Sequence, residues 1–278
     1  VGSEMCIRDS TNAINYEDED KLVTETYGAL ILATGYNLID WTKLYGEYGS
    51  GMYPDIISGL QFERLVNASG PTEGHIQRPS DGKEPKTVVI IKCVGSRDPN
   101  KGVSYCSRAC CMYSAKHAHQ YLDKVKDGRC FVFYMDVRCA GKGYDEFYMN
   151  TLQDGATYVR GRVSKIYPED GKLVCMGEDT LSSQVVRVDA DMVVLETAMV
   201  PSDGSTQIAT VLNAQRGPEG FFTEAHPKLR PVETNTAGIF LAGVAQGPKD
   251  IPDTVAQAGA AASKVIGLLA KGQIESNP

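Results

Sequence analysis

Residues 86–126, KTVVIIKCVGSRDPNKGVSYCSRACCMYSAKHAHQYLDKVK, crowd Cys93, Cys106, Cys110 and Cys111 into the place where a buried strand should give way to a helix. These are four of the chain's eight cysteines. The apolar, β-branched run over residues 87–91 lies between Pro85 and Gly95 and predicts a buried strand. Residues 105–126 carry helical periodicity and stop at Lys126-Asp127-Gly128. On such a helix Cys106 and Cys110 stand one turn apart on one face, with Cys111 about 100° around the axis.

Three chemistries and one bland reading compete for these thiols. A disulfide within the adjacent pair Cys110-Cys111 needs a strained ring, and no signal peptide marks the chain for an oxidising compartment. Zinc prefers C-x2-4-C knuckles on turns, and a vicinal pair on a helix fits poorly around one small ion. An iron–sulfur cluster is larger, and its separate iron corners take neighbouring thiolates. Cysteine is also a small buried side chain in many cores. Spacing favours the cluster but leaves zinc and plain burial open.

Net charge and hydropathy narrow the function classes. A formal charge of −7 argues against a nucleic-acid or acidic-membrane partner. No apolar run reaches the roughly 18 residues of a membrane span, so a soluble cytoplasmic enzyme is expected, without membrane insertion. Cysteines without a secretory signal point to metal or redox use, and 278 residues suffice for one large domain or two intertwined ones.

The segments CVGSR, YCSRACCMYSAK and MDVRCAGKGYDEFY resemble the flavin- and cluster-carrying A-subunit of heterodisulfide reductase and its bacterial relatives, and the likeness extends over residues 22–272. It implies an α/β, FAD/NAD(P)-binding-like doubly wound three-layer fold of the thioredoxin-reductase type. It also implies that Cys93, Cys106, Cys110 and Cys111 hold a [4Fe-4S] cluster. The segment GLQFERLVNASGPTEG is likewise similar to the family, which implies that Glu63 pairs with Lys116 near a flavin ring. By itself, Glu63 reads as a solvated helix residue and Lys116 as an exposed lysine. His117 and His119 are expected at the surface, and Cys139 and Cys175 as ordinary thiols.

Taken in order, residues 1–10 carry none of this pattern and are read as foreign to the chain, so Cys6 receives no role. Residues 21–36 predict two strands and a tight turn. Their Ala33-Thr34-Gly35 resembles the ATG motif of flavoproteins, where small residues let the backbone pass close to the cofactor. Residues 86–136 read strand–helix–strand, the right-handed parallel crossover of a dinucleotide-binding fold. A nicotinamide site there requires G-x-G-x-x-G, and CVGSRD stands in its place, which argues against NAD(P) in this unit. A helix over 143–154, a strand over 157–160, a β-meander over 163–188 turning at Asp170-Gly171, and a buried strand at 193–195 follow.

Near the end, residues 239–242 predict a strand ending at Gly243, and an alanine-rich helix starts near Asp253. This stretch resembles a second FAD motif, implying that Gly243, Gly247, Pro248, Lys249, Asp250, Ile251 and Pro252 meet the flavin. Val244 stands where many such proteins have Asp, and Asp250 is expected to take that polar role. The glycine-rich turn of an N-terminal FAD fingerprint is missing, so the sequence reads as an internal piece of a longer subunit.

The expected organisation is an N-terminal segment of residues 1–20, an FAD-binding domain from residues 21–85 and 200–278, and a second dinucleotide-binding-like domain over 86–199. The resemblance implies an electron-transfer subunit passing electrons from a donor module through FAD to iron–sulfur clusters, in some members on to ferredoxin and a disulfide. Expected partners are other heterodisulfide reductase-like subunits, a hydrogenase- or formate-dehydrogenase-type donor module, and ferredoxin. Two alternatives are an FAD/NAD(P)H-dependent disulfide oxidoreductase, with Cys106 and Cys111 at C-x4-C spacing, and a zinc-stabilised interaction module.

Overall fold

A run of eight buried residues, Thr87–Val94 (β4), forms the spine of the molecule. The computed structural model describes residues 15–44 and 46–270, so the reading of residues 1–10 with Cys6 lies outside the described residues. The strand β4 sits in a five-stranded parallel sheet flanked by Met192–Thr197 (β10) and Arg129–Tyr134 (β5). Ile56–Ser58 (β3) and Thr157–Arg160 (β6) form its edges. Continuous apolar runs such as VVII and MVVL belong in a sheet covered on both faces. Helices Gly59–Val66 (α1) and Cys110–Lys124 (α2) cover one face, burying Phe62, Ala118 and Tyr121 against Val88, Ile90 and Val194.

An antiparallel meander covers the other face: Val163–Glu169 (β7), Lys172–Asp179 (β8) and Gln184–Ala190 (β9). Its Ile166, Leu173, Cys175 and Val188 pack on Val89, Ile91, Val193 and Leu195. Three layers result, with alternate residues of β4 and β10 pointing into two separate cores. Tyr144–Gln153 (α3) lies between β5 and β6 in the chain.

A second, smaller unit is built on Leu30–Leu32 (β1) paired in parallel with Ile239–Leu241 (β12), backed by Ser205–Leu212 (α4) and Ile251–Leu269 (α5). The chain crosses between the units twice. The crossings, Tyr36–Leu38 (β2) and Met199–Pro201 (β11), pair antiparallel side by side. The five-stranded sheet begins at Ile56, so β3 and α1, from the stretch expected with the FAD-binding unit, lie on the sheet of residues 87–197. No described helix is long and apolar enough to cross a membrane.

Two local expectations need correction. Residues 21–27 form no strand, and among residues 21–36 only β1 and the start of β2 pair. The cysteine helix starts at Cys110, not near Tyr105, because Arg108 takes a left-handed backbone (φ 56°) that ends any helix running up to it. Cys106 therefore lies in the loop, and the four thiols come from one strand, one loop position and two adjacent helical positions.

Candidate metal and cofactor site

The loop between β4 and α2 is folded on its own backbone. Arg97 N–H donates to Tyr105 O (3.0 Å) and Val103 N–H to Gly95 O (2.7 Å). The two sides approach so closely that a Cβ at Gly102 would lie 2.1 Å from the Gly95 carbonyl oxygen. The buried hydroxyls of Ser96 and Ser107 meet at 2.8 Å, and Ser107 Oγ accepts from Met199 N–H (3.0 Å), tying the loop to β11. Cys93, Arg97 and Arg108 all have positive φ. Three non-glycine residues in that region of one short segment mark a backbone that its surroundings hold in place.

This fold brings Cys93 and Cys110 together. Cys93 and Cys110 share a hydrogen bond, and Cys110 also lies within the electrostatic reach of Cys106 and Cys111. Cys106 Sγ accepts from Arg108 N–H (3.3 Å), and Cys111 Sγ contacts the Asp136 carbonyl oxygen at 3.8 Å. Cys93 is drawn down to about 6 by the hydrogen bond from Cys110, against burial, with help from Lys92 and Arg97. Cys110 moves the other way, pushed well up by the Cys93 bond, by burial and by the other thiols. Cations ring the group. Lys92 donates to Asp136 O (3.2 Å), Arg97 pairs with Asp136 Oδ1 (2.6 Å), and Arg138 is close enough to sense Cys106 and Cys111.

The donor set decides which group fits. All seven described cysteines are free thiols. Among the described residues no three or more His, Cys, Asp or Glu side chains gather around a single metal ion. Four thiols, two of them adjacent at the start of one helix and the group ringed by cations, suit a thiolate-ligated iron–sulfur cluster, whose separate irons take neighbouring thiolates. Lys92, Arg97, Asp136 and Arg138 were not singled out from the sequence. A lysine inside a buried strand, with only 5% of its surface exposed, is the signal that could have found the first of them.

The two glycine-containing motifs meet because β1 and β12 pair in register, Leu32 beside Leu241, so their following turns emerge together. Ala33-Thr34-Gly35 follows β1 with Gly35 at φ 69°, and Thr34 Oγ1 is buried without a hydrogen-bond partner. After β12, the buried Lys249 ammonium donates to the carbonyls of Gly243 (2.7 Å) and Gly247 (2.7 Å) and to Gln246 Oε1 (3.1 Å), closing this loop on itself. Burial, then the nearby Arg108, brings its pKa down to about 8. Asp250 caps α5, accepting from Asp253 N–H (2.9 Å), and accepts from Tyr144 Oη–H (3.0 Å). The helix therefore begins at Ile251, two residues before the expected Asp253, with Pro252 in its first turn. Gly247 has open space beside its Cα.

Two cavities join these parts. One of about 320 Å³ is lined by Cys106, Arg108, Gly247 and Pro248. The other, about 290 Å³, is lined by Arg108, Met112, Arg138, Tyr144 and Asp250. Arg108 reaches across to Asp253 Oδ2 (2.8 Å), tying the cysteine loop to the N-terminal turn of α5.

On the outer side of α2, Lys116 Nζ lies 2.5 Å from both Glu63 oxygens. His117 is a correction to the sequence reading. Expected at the surface, it is 1% exposed, since it stands on the face of α2 turned to α1 and β10. Its Nε2 is 2.7 Å from Glu63 Oε2 and its Nδ1 is 3.3 Å from the fully buried Glu196. His119, two positions on, is exposed, as read from the sequence, and pairs with Asp154 Oδ2 (2.6 Å). Cys139 is partly exposed in a loop, and Cys175 is buried in β8, its thiol raised to about 12 by burial and then by Asp189.

No family model matches the chain. The fold is similar to that of solved thioredoxin reductases. The T. acidophilum enzyme superposes with a TM-score of 0.54 at 15% identity, covering 89% of this chain and 66% of that one. The Lactococcus lactis enzyme gives 0.53 at 14%, covering 87% and 66%. In sequence, the chain is 48% identical over 270 residues to a CoB–CoM heterodisulfide reductase iron-sulfur A-subunit of Methanopyrus kandleri, covering 96% of this chain and 41% of that protein. It is 46% identical over 277 residues to the A-subunit of the H2:CoB-CoM heterodisulfide,ferredoxin reductase of Methanothermobacter thermautotrophicus, covering 99% and 41%. With the A-subunit of the ferredoxin/F420H2-dependent CoB-CoM heterodisulfide reductase of Methanosarcina acetivorans it shares 42% over 280 residues, covering 100% and 35%. The chain thus spans about two fifths of the length of the curated relatives it matches. Over that shared segment, with its α/β three-layer fold and its four cysteines from strand, loop and helix, the chain belongs to the A-subunit family of heterodisulfide reductases.

Proposed function

We propose that this chain is the FAD- and [4Fe-4S]-dependent electron-transfer segment of a heterodisulfide reductase-like oxidoreductase that acts on sulfur groups. In this reading electrons enter FAD from a hydrogenase- or formate-dehydrogenase-type donor module and leave through iron–sulfur clusters toward ferredoxin and a disulfide. The other heterodisulfide reductase-like subunits supply the sulfur chemistry. The observation that carries the reading is the shared cavity: Cys106 of the thiol group and Gly247-Pro248 of the loop after β12 line one space. A two-electron and a one-electron carrier held that close exchange electrons without a moving part.

Bound, FAD would accept an electron pair and a [4Fe-4S] cluster would take single electrons from it. The chain's residues prepare for both. Cys93, Cys106, Cys110 and Cys111 would hold the cluster, with Lys92, Arg97 and Arg138 offsetting its negative charge. The turns at Ala33, Thr34 and Gly35 and at Gly243 and Gly247 would hold the flavin. The N-terminus of α5 at Asp250, Ile251 and Pro252 would place a positive dipole end beside it. Lys116, charged and fixed by Glu63, would favour an anionic reduced ring.

Anaerobic reconstitution of the chain with iron, sulfide and FAD tests this. A brown protein with about four iron and four sulfide per chain is expected, together with quenched flavin fluorescence. Cys93→Ala and Cys110→Ala variants should each lose most of the iron. A colourless protein holding stoichiometric zinc, or iron retained in the double variant Cys110→Ala/Cys111→Ala, would sink the reading.

A further inference from the structure

Glu196 lies in the middle of β10, 0% exposed, in a strand otherwise made of apolar side chains and Thr197. One carboxylate oxygen faces His117 Nδ1, and the Tyr113 hydroxyl lies within hydrogen-bonding reach of the same carboxylate. A fully buried carboxylate costs stability that a leucine there would not. Packing alone therefore gives no account of the residue. His117 spends its second nitrogen on Glu63, and Glu63 spends both oxygens on Lys116. Four ionisable groups from α1, α2 and β10 thus form one file. It is dry at Glu196 and wet at Lys116, whose side chain is 37% exposed.

The imidazole is held on every side. Phe62 from α1 packs edge-on at 5.1 Å between ring centroids, and Tyr113 from α2 tilts at 5.8 Å. Tyr113 in turn is close enough to sense Tyr36, next to Gly35 in the turn after β1. The groups facing this file are Glu63 from α1, Glu196 from β10, Lys116 and Tyr113 from α2, and Cys130 from β5. The Cys130 thiol is pushed up to about 12 by burial and then by Glu196, and so stays neutral. Burial opposes charge on His117, but the two carboxylates outweigh it and raise its pKa above the ordinary imidazole value.

We infer that His117 is a positioning residue that stores a proton for Lys116. When Lys116 has given up a proton, the Glu63 carboxylate takes one on Oε2 from imidazolium Nε2 and hands that proton on to Nζ, which lies 2.5 Å from the same oxygen. Glu196 keeps the Nδ1 proton in place throughout and stops the ring from turning. One proton leaves His117 and one arrives at Lys116. Glu63 ends as it began, one positive charge has moved from imidazole to amine, and no electrons are transferred. The service of this proton to a flavin rests on the function proposed above; the relay itself does not.

The experiment is a pH titration of the full chain, followed by long-range 1H–15N correlations of its histidine rings and by the lysine side-chain signals. His117 should carry protons on both nitrogens to a pH above the ordinary midpoint of about 6.5. Glu63→Gln should lower that midpoint by about one unit or more. Reciprocally, His117→Gln should change the Lys116 side-chain signals, because the competing hydrogen-bond partner on Glu63 is gone. Glu63 is partly exposed, so its variant keeps the core intact if the buried His117 variant does not fold. An imidazole with a single N–H across the range, or a His117 midpoint unmoved by Glu63→Gln, would overturn the inference. The titration needs no bound cofactor, so it stands whether or not iron and flavin load.

Discussion

Glu63 shows how one side chain ties pH to stability. Its carboxyl is drawn to about 2, first by the His117 hydrogen bond and then, against burial, by Lys116. A depressed carboxyl contributes stability that is complete above its unfolded value near 4.5 and disappears as pH falls through about 2. Denaturant midpoints of the wild-type chain and Glu63→Gln should therefore differ above pH 4.5 and converge toward pH 2. His117 works in the opposite sense. Its raised value makes its contribution complete at low pH, below the unfolded value, and lost as pH rises through the folded one. The wild-type advantage over His117→Gln should accordingly shrink at alkaline pH. Gly59 serves the same cluster by leaving room, since a Cβ there would lie 2.0 Å from Glu196 Oε2. Gly59→Ala should cost about 2 kcal/mol in chemical denaturation and displace the carboxylate from His117. An unchanged His117 titration in that variant would count against the close contact.

Helix α1 owes its position to its first turn. Ser58 Oγ accepts from Gln61 N–H (3.3 Å) while Gln61 Oε1 accepts from Ser58 N–H (2.8 Å), a reciprocal capping box directly after β3. Because β3 pairs with β10, the cap fixes Glu63 one turn further on relative to Glu196. Ser58→Ala should cost about 1 kcal/mol by denaturant unfolding. The crossover from β4 through α2 to β5 does the equivalent for the thiols. The strand read over residues 87–91 runs on to Val94, which carries Cys93 to the end of the sheet, where its backbone turns left-handed. Arg108, left-handed as well, keeps the helix from swallowing Cys106. The periodicity of residues 105–109 is compatible with a helix, and only the loop's cross-links to Gly95 and Met199 remove it.

Across the whole molecule, the meander is stapled to the parallel sheet at Asp191, which precedes β10. Its carboxylate accepts from the backbone N–H groups of Lys86 (3.0 Å) and Thr87 (2.9 Å) and from Lys172 Nζ (2.6 Å), joining β4, β8 and β10. Asp191→Ala leaves buried donors unpaired and should lower unfolding free energy by about 3 kcal/mol, measurable as a fall in the denaturant midpoint. Much of this layered plan is legible in the chain alone. Buried strands read over residues 87–91 and 193–195, the turn at Asp170-Gly171 and the alanine-rich last helix follow from hydrophobic period and turn chemistry, which act over a few residues. So does the cysteine spacing that carries the family likeness. What needed the tertiary structure is convergence between distant positions. Glu63, His117 and Glu196 meet although 54 and 79 residues separate the histidine from its two partners. A glutamate in an apolar strand and a histidine on an apolar helix face each look like local exceptions. Sheet order makes them neighbours, because burial lets a charged group persist only where packing brings it a partner, and no local pattern encodes who that partner is.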